Sequence, residues 1–220
     1  MKVVVAFWYM NTFSVGSCVR FGWETFKKRA WFFIGATIVY VFISWAISFI
    51  AGLITGGGHG NALTTLISFP FSVLLTMGLT ALMLKAHDNV DSVKIADLWH
   101  PHNYWNFFLA YLIVFVSTII GLILLVVPGI IVAIALGFYS YIIIERSMGP
   151  IEALKESMRI TKGHRWDLFV LMLACFGIAI LGLVCLLVGI FVALPVIMLA
   201  MVHAYRTLAK IAETTPSTIV

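Results

Sequence analysis

Along this chain, long apolar runs alternate with short polar bands. No Asp, Glu, Lys or Arg occurs in residues 30–84, 98–144 or 168–205, blocks of 55, 47 and 38 residues. A membrane-crossing helix needs about 20 mostly apolar residues, so each block is long enough for two passes. Turn signals interrupt each block: Gly56-Gly57-Gly58-His59-Gly60-Asn61, then Val127-Pro128-Gly129, then the weaker Gly189 with Pro195. The pattern predicts an all-α, polytopic membrane protein with six transmembrane helices as three hairpins. The spans fall near 31–54, 62–84, 104–126, 128–146, 166–187 and 190–208. An amino-terminal interfacial segment (1–29) precedes one six-helix membrane domain (30–208; hairpins 31–84, 104–146 and 166–208), and a tail (209–220) follows.

The polar bands themselves carry helical signals. In residues 150–163, Pro150 suits a first turn and Gly163 a stop. Ile151, Leu154 and Met158 make one apolar stripe, with Glu152, Lys155, Glu156, Arg159 and Lys162 around the rest. Val15, Val19, Trp23 and Phe26 form a similar stripe opposite Arg20, Glu24 and Lys27; Val93, Ala96 and Leu98 make a shorter one before Pro101. Such amphipathic helices lie at the headgroup boundary, pack under the bundle as caps, or do both.

Composition and charge fix the class and predict an orientation. The chain of 220 residues is 62% hydrophobic and 10% charged, with a mean hydropathy of +1.09. Soluble domains have about 45–50% apolar and 25% charged residues. A soluble enzyme, a disordered chain and a disulfide scaffold are excluded on those figures. All 14 Lys and Arg fall on one side of the hairpin scheme and none at the three tips. Because cytoplasmic loops collect Lys and Arg, both termini are expected in the cytoplasm and the protein in the cytoplasmic (inner) membrane. Lys2 with Val3 to Met10 has the form of a signal sequence, and Val15-Gly16-Ser17-Cys18 that of a lipoprotein cleavage box. Cleavage there would leave Arg20, Lys27, Lys28 and Arg29 on the outer face, so an uncleaved interfacial segment is expected. The three cysteines, Cys18, Cys175 and Cys185, predict no disulfide framework.

A three-fold internal repeat is expected from the aromatic clusters that open the hairpins. These are Trp31-Phe32-Phe33, Tyr104-Trp105-Asn106-Phe107-Phe108 and Trp166-Asp167-Leu168-Phe169. A proline follows in each case (Pro70, Pro128, Pro195) at spacings of 39, 23 and 29 residues, so the loops diverge. Small residues recur every fourth position at Ser44, Ser48 and Gly52 and at Gly129, Ala133 and Gly137; Gly189 and Ala193 share the spacing. That spacing lets helices approach closely, within the bundle or between two copies.

The linker carries a resemblance. Gly149-Pro150-Ile151-Glu152-Ala153-Leu154-Lys155-Glu156-Ser157 and Thr161-Lys162-Gly163-His164-Arg165-Trp166 resemble a broad prokaryotic six-helix membrane family. That family includes the membrane domain sometimes fused to glycerophosphodiester phosphodiesterases and similar uncharacterised inner-membrane proteins. Leu125-Val126-Val127-Pro128-Gly129-Ile130-Ile131 is similar to its second hairpin. The resemblance covers roughly the last 120 residues and implies a bacterial inner-membrane protein without the catalytic barrel.

The search for chemistry returns little. The chain has no phosphate-binding loop, dinucleotide fingerprint, His-Glu-x-x-His or nucleophile elbow. The charge-free blocks also lack the carboxylates of proton relays. His87 with Asp88 and Asp91, and His100 and His102 with Asp97, match no closed metal site, so no metal, catalytic residue or cofactor is expected. His203, near the cytoplasmic end of the last span, is expected either to find a hydrogen-bond partner or to snorkel to the interface. Arg20, Lys27, Lys28, Arg29, Lys155, Arg159, Lys162 and Arg165 are the candidate headgroup contacts, each contributing about 1 kcal/mol at an anionic surface. The expected role is a non-enzymatic module that organises anionic membrane lipids or supports a membrane-protein partner or second copy, with no nucleic-acid binding. A small transporter or channel without an ion-coupling carboxylate ranks second and a lipid-acting enzyme third.

Overall fold

The computed structural model describes residues 13–56, 61–99, 102–184 and 188–214. The signal-like segment, the core of the glycine-rich tip with His59, His100, Pro101, Cys185 and the end of the tail lie outside the described residues. In chain order come α1 (Val15–Lys28), α2 (Ala30–Thr55), α3 (Ala62–Asp88) and two 3-10 turns (Val90–Ser92, Ile95–Leu98). They are followed by α4 (Tyr104–Leu124), α5 (Val126–Leu136), α6 (Tyr139–Arg146), α7 (Pro150–Thr161), α8 (Arg165–Val184) and α9 (Val188–Thr214). No strand occurs among the described residues. With α5 and α6 forming one pass, six spans are long and apolar enough to cross a membrane. The exterior is apolar too: Leu53, Ile54, Leu66, Ile123 and Val184 are all more than two-thirds exposed, which water would not tolerate over so wide a surface. This is a multi-pass membrane protein.

The helix ends follow from local chemistry. Gly56 closes α2 in the left-handed region (φ 62°), where a side chain would be strained. Inside α3, Ser68, Ser72, Thr76 and Thr80 each donate to the carbonyl four residues earlier at 2.7–2.9 Å, so their hydroxyls need no water. Two boundaries differ from the sequence expectation. The second hairpin reverses at extended Leu125 (φ −167°, ψ 141°), and Pro128 and Gly129 lie in the first turn of α5, where a missing N–H costs nothing. The fourth span is not continuous but broken at Gly137 and Phe138.

Packing divides the six passes into two sets. The second helix of each hairpin is inner, with 44, 50 and 44% of its apolar stretch buried, against 11, 17 and 17% for the first helices. The order is cyclic: α2 packs on its partner α3 and on α9, α4 on α5 and on α3, and α8 on α9 and on α5. Each polar segment obeys the same rule and docks on the inner helix of the preceding hairpin. Thus α1 lies on α9, the second 3-10 turn on α3, and α7 on α5 and α6.

Small residues make these docking sites possible. A Cβ on Gly22 of α1 would collide with the backbone of Val196 and Ala200 in α9. At Gly78 of α3 it would overlap the Leu98 carbonyl. At the third site Ser157 of α7, fully buried, reaches into the break between α5 and α6. Its Oγ donates to the Ala135 carbonyl at 2.8 Å and accepts the Phe138 N–H at 3.2 Å, replacing the helical bonds lost there. Thr161 closes the turn beneath by donating to the Ser157 carbonyl at 2.9 Å. Ser157→Ala strands the buried Phe138 N–H and leaves the Ala135 carbonyl only the long 3.4 Å bond from Thr161, so a loss of about 1–3 kcal/mol is expected, read as a lower melting temperature in detergent.

Of the α1 stripe, Phe26 is buried and Val15 and Val19 pack against the core. Cys18, Gly22, Thr25 and Phe26 face the bundle, while Trp23 remains 46% exposed at the flank. Burial pushes the Cys18 thiol up to about 11, so it stays protonated and unreactive. Cys18 and Cys175 are both free and buried.

Candidate functional site

The ion pairs among the described residues gather at one end of the bundle, where the inner helices run on past the docked linkers. Gly78 lies ten residues before Asp88, the last residue of α3, so this extension is about 15 Å long. Arg206 of α9 sits at its centre. Its Nη2 donates to both carboxylate oxygens of Asp88 at 3.0 and 2.8 Å, and its Nη1 meets Glu145 of α6. One guanidinium therefore joins all three hairpins. The neighbouring Tyr205, fully buried, donates its hydroxyl to Glu145 at 2.5 Å and stacks on Tyr141 (ring centroids 5.4 Å, 20°). The Arg206 Nε is buried and makes no hydrogen bond among the described residues.

A second cluster continues outward. Arg146 reaches Glu156 at 3.2 Å and Glu213 at 2.7 Å, while Arg159 takes Glu156 bidentately at 2.7 Å through each nitrogen. The Arg159 hydrogen bonds hold the Glu156 carboxyl below its ordinary value, against the opposing pull of burial. On the other side His87 Nε2 and His203 Nδ1 approach to 3.2 Å, with Asp88 3.5 Å from His87 Nδ1. Phe21 of α1 stacks on His203 (4.2 Å, 15°) and lies 4.7 Å from His87. Such a bond needs one imidazole to donate and the other to accept, so two protonated rings cannot form it. A polar cavity of about 390 Å³ opens beside them, lined by Phe21, Thr25, Lys28, His87, Asp88, Asn89, Val90 and Asp91.

The eight basic residues singled out from the sequence separate into two groups. Arg20 is tied to Glu24 at 2.7 Å, and Arg159 to Glu156 and, at 3.2 Å, the Ala212 carbonyl. Arg29 turns inward, donating to the carbonyls of Val90, Asp91 and Val93 at 2.8–3.2 Å over the Phe32 ring. Lys27, Lys28, Lys155, Lys162 and Arg165 are exposed and form no ion pair among the described residues. Lys27 lies 5.8 Å from the Trp23 ring centroid. Trp31, Trp105 and Trp166, each the second residue of its helix, project outward at 88, 72 and 74% exposure.

The small-residue stripes are placed differently from one another. Ser44 and Ser48 are half-buried, Ser48 donating to the Ser44 carbonyl at 3.0 Å, and Gly52 is half-buried below Thr55. Gly129 touches Gly121 and Leu122 across the second hairpin; Ala133 is half-buried and Gly137 marks the helix break. Gly182 and Gly189 make the corresponding contact in the third hairpin. Sequence reasoning missed the Arg206 junction, the His87–His203 pair and Ser157. The Arg206 junction joins residues of three hairpins up to 118 positions apart and the histidine pair residues 116 apart, and Ser157 was legible only as part of a helical linker. Among the described residues no group of three His, Cys, Asp or Glu is placed to hold a metal ion.

Comparison with known proteins follows the same geography. The chain is 24% identical to the uncharacterized protein Mb2590 of Mycobacterium bovis, over 224 aligned residues covering 90% of this chain and 69% of that protein. The uncharacterized protein Rv2560 of Mycobacterium tuberculosis matches with the same identity and coverage. No solved structure matches. A family model described as protein of unknown function DUF975 matches residues 102–212, which hold the second and third hairpins, α7, Ser157 and Arg206. That match spans half of the sequence, and the chain belongs to the DUF975 family.

Proposed function

We propose that the protein is a non-enzymatic membrane module that gathers anionic lipids around its basic end and offers that end to a membrane-protein partner or second copy. The observation that carries this reading is the set of five exposed cations without carboxylate partners. Lys27, Lys28, Lys155, Lys162 and Arg165 lie in the polar segments that adjoin the projecting Trp31 and Trp166 in the chain, and tryptophans of that kind characterise a headgroup boundary. On the same reading that end faces the cytoplasm, both termini lie there, and the membrane is the bacterial inner membrane. The cyclic packing of hairpins and linkers supports a three-fold internal repeat. The relation to the glycerophosphodiester phosphodiesterase membrane domain rests on the linker residues and belongs to this proposal as well.

Lipid enrichment tests it. The full chain, purified in mild detergent from membranes of known composition, should retain phosphatidylglycerol over phosphatidylethanolamine. The triple substitution Lys155→Gln, Lys162→Gln and Arg165→Gln should cut that enrichment several-fold while leaving the melting temperature in place. Equal retention of both lipids by the unaltered protein would refute the reading. A small transporter is the second reading, favoured by the interrupted fourth span at Gly137 and Phe138, since broken helices line many transport paths. Solute flux into proteoliposomes distinguishes it.

A further inference from the structure

A second lipid-related feature lies on the flank of the bundle rather than at its end. A groove of about 460 Å³ runs between α1, α8 and α9, within the ~300–1,000 Å³ range of small-ligand sites. Its floor is Gly182, Gly189 and Ala193, and its walls include Val19, Trp23, Ile178 and Val192. The floor is low because α8 and α9 touch there through glycine backbones. Apart from the Trp23 indole, no side chain lining it carries a polar group, so it suits a hydrocarbon chain.

The rim sets the other half of the ligand. Trp23, a wall residue, carries the Lys27 ammonium at 5.8 Å from its ring centroid. Glu24, the one acid on α1, is engaged by Arg20 at 2.7 Å, which leaves Lys27 exposed without an ion-pair partner among the described residues. Lys28, one residue on, lines the polar cavity beside His87 instead. An apolar slot ending under an exposed ammonium that forms no close ion pair, and an indole, is complementary to one acyl chain joined to an anionic headgroup. We infer that the groove between α1, α8 and α9 is a discrete site for one anionic phospholipid, its acyl chain against Gly182, Gly189 and Ala193 and its phosphate at Lys27 and Trp23.

This deepens the lipid reading above, but it concerns a stoichiometric site rather than a lipid-enriching surface. The test uses the full chain in phosphatidylcholine vesicles containing phosphatidylglycerol with a photoactivatable acyl chain, and in matched vesicles where phosphatidylcholine carries the photoactivatable chain. Illumination should label peptides containing Val19–Trp23 and Ile178–Val196, with phosphatidylglycerol favoured over phosphatidylcholine. Lys27→Gln should reduce phosphatidylglycerol labelling about five-fold and leave phosphatidylcholine labelling unchanged. Val192→Trp, which fills the slot, should abolish labelling by both lipids; Ile178→Trp provides a second filling variant should the first fail to fold. The Lys155, Lys162 and Arg165 triple variant should keep groove labelling, so a failure of bulk enrichment and a failure of this site are told apart. Equal labelling by the two lipids, indifference to Lys27→Gln, or a groove that cross-links instead to a second copy would overturn the assignment.

Discussion

Replacing Gly78 with leucine is expected to leave little folded protein. An added Cβ at this position overlaps the Leu98 carbonyl, and the obstacle is backbone rather than a side chain that could rotate away. The linker would have to leave α3, exposing Leu98 and Val93, both buried, and releasing the bidentate Lys85–Asp97 pair at 2.9 Å. A destabilisation of about 3 kcal/mol or more follows, at the upper end for overpacking a core. Truncating the Leu98 side chain would not restore stability, because the collision is with its carbonyl. Gly35→Ala supplies the control: nothing lies within 4 Å of a Cβ there, so it should be neutral or slightly stabilising as a glycine leaves a helix. Size-exclusion profiles and melting temperatures of the solubilised variants check both. A monodisperse Gly78→Leu protein melting at the wild-type temperature would show that the 89–99 linker does not dock as described.

The second large effect is expected at Arg206. Arg206→Met leaves the carboxylates of Asp88 and Glu145 without their common cation and the Tyr205 hydroxyl bonded to an uncompensated anion. Removing one partner of a buried pair costs about 3–5 kcal/mol. The Asp88 side chain is 58% exposed and that of Glu145 26%, so screening reduces the expected loss to about 2 kcal/mol. Arg206→Lys should recover only part, since an ammonium offers one nitrogen where the guanidinium pairs Asp88 and Glu145 through two separate ones. In an Asp88→Asn, Glu145→Gln background the cost of Arg206→Met should shrink markedly, a coupling that a purely steric role would not show.

The charge bands made the six passes legible because an unpaired charge in hydrocarbon is costly, so the blocks in residues 30–84, 98–144 and 168–205 mark the spans directly. The docking of the linkers was not legible for the opposite reason. Its anchors are Gly22, Gly78 and Ser157, residues too small to raise an amphipathic signal, and what matters is the backbone they admit. In α1 the apolar stripe of Val15, Val19, Trp23 and Phe26 puts Phe26 in the core and Val15 and Val19 against it, but the closest approach runs beside it through Cys18, Gly22 and Thr25, since a small residue packs closer than a large one. Gly137 was visible in the sequence as one member of a packing stripe. Only with Ser157 twenty residues later does it become the point where the fourth span breaks. His203 read as a histidine with a hydrogen-bond partner or one that snorkels; that it meets His87 depends on α3 and α9 being neighbours.

The central claim is that three hairpins put every basic band on one face of the membrane and their tips on the other. Single cysteines at Lys155 and Asn61, introduced into a chain whose three native cysteines are replaced by alanine, test it in whole cells with a membrane-impermeant maleimide. The account predicts that Asn61→Cys is labelled from outside and that Lys155→Cys is labelled only after the membrane is permeabilised. Labelling of both positions from the same side would contradict it.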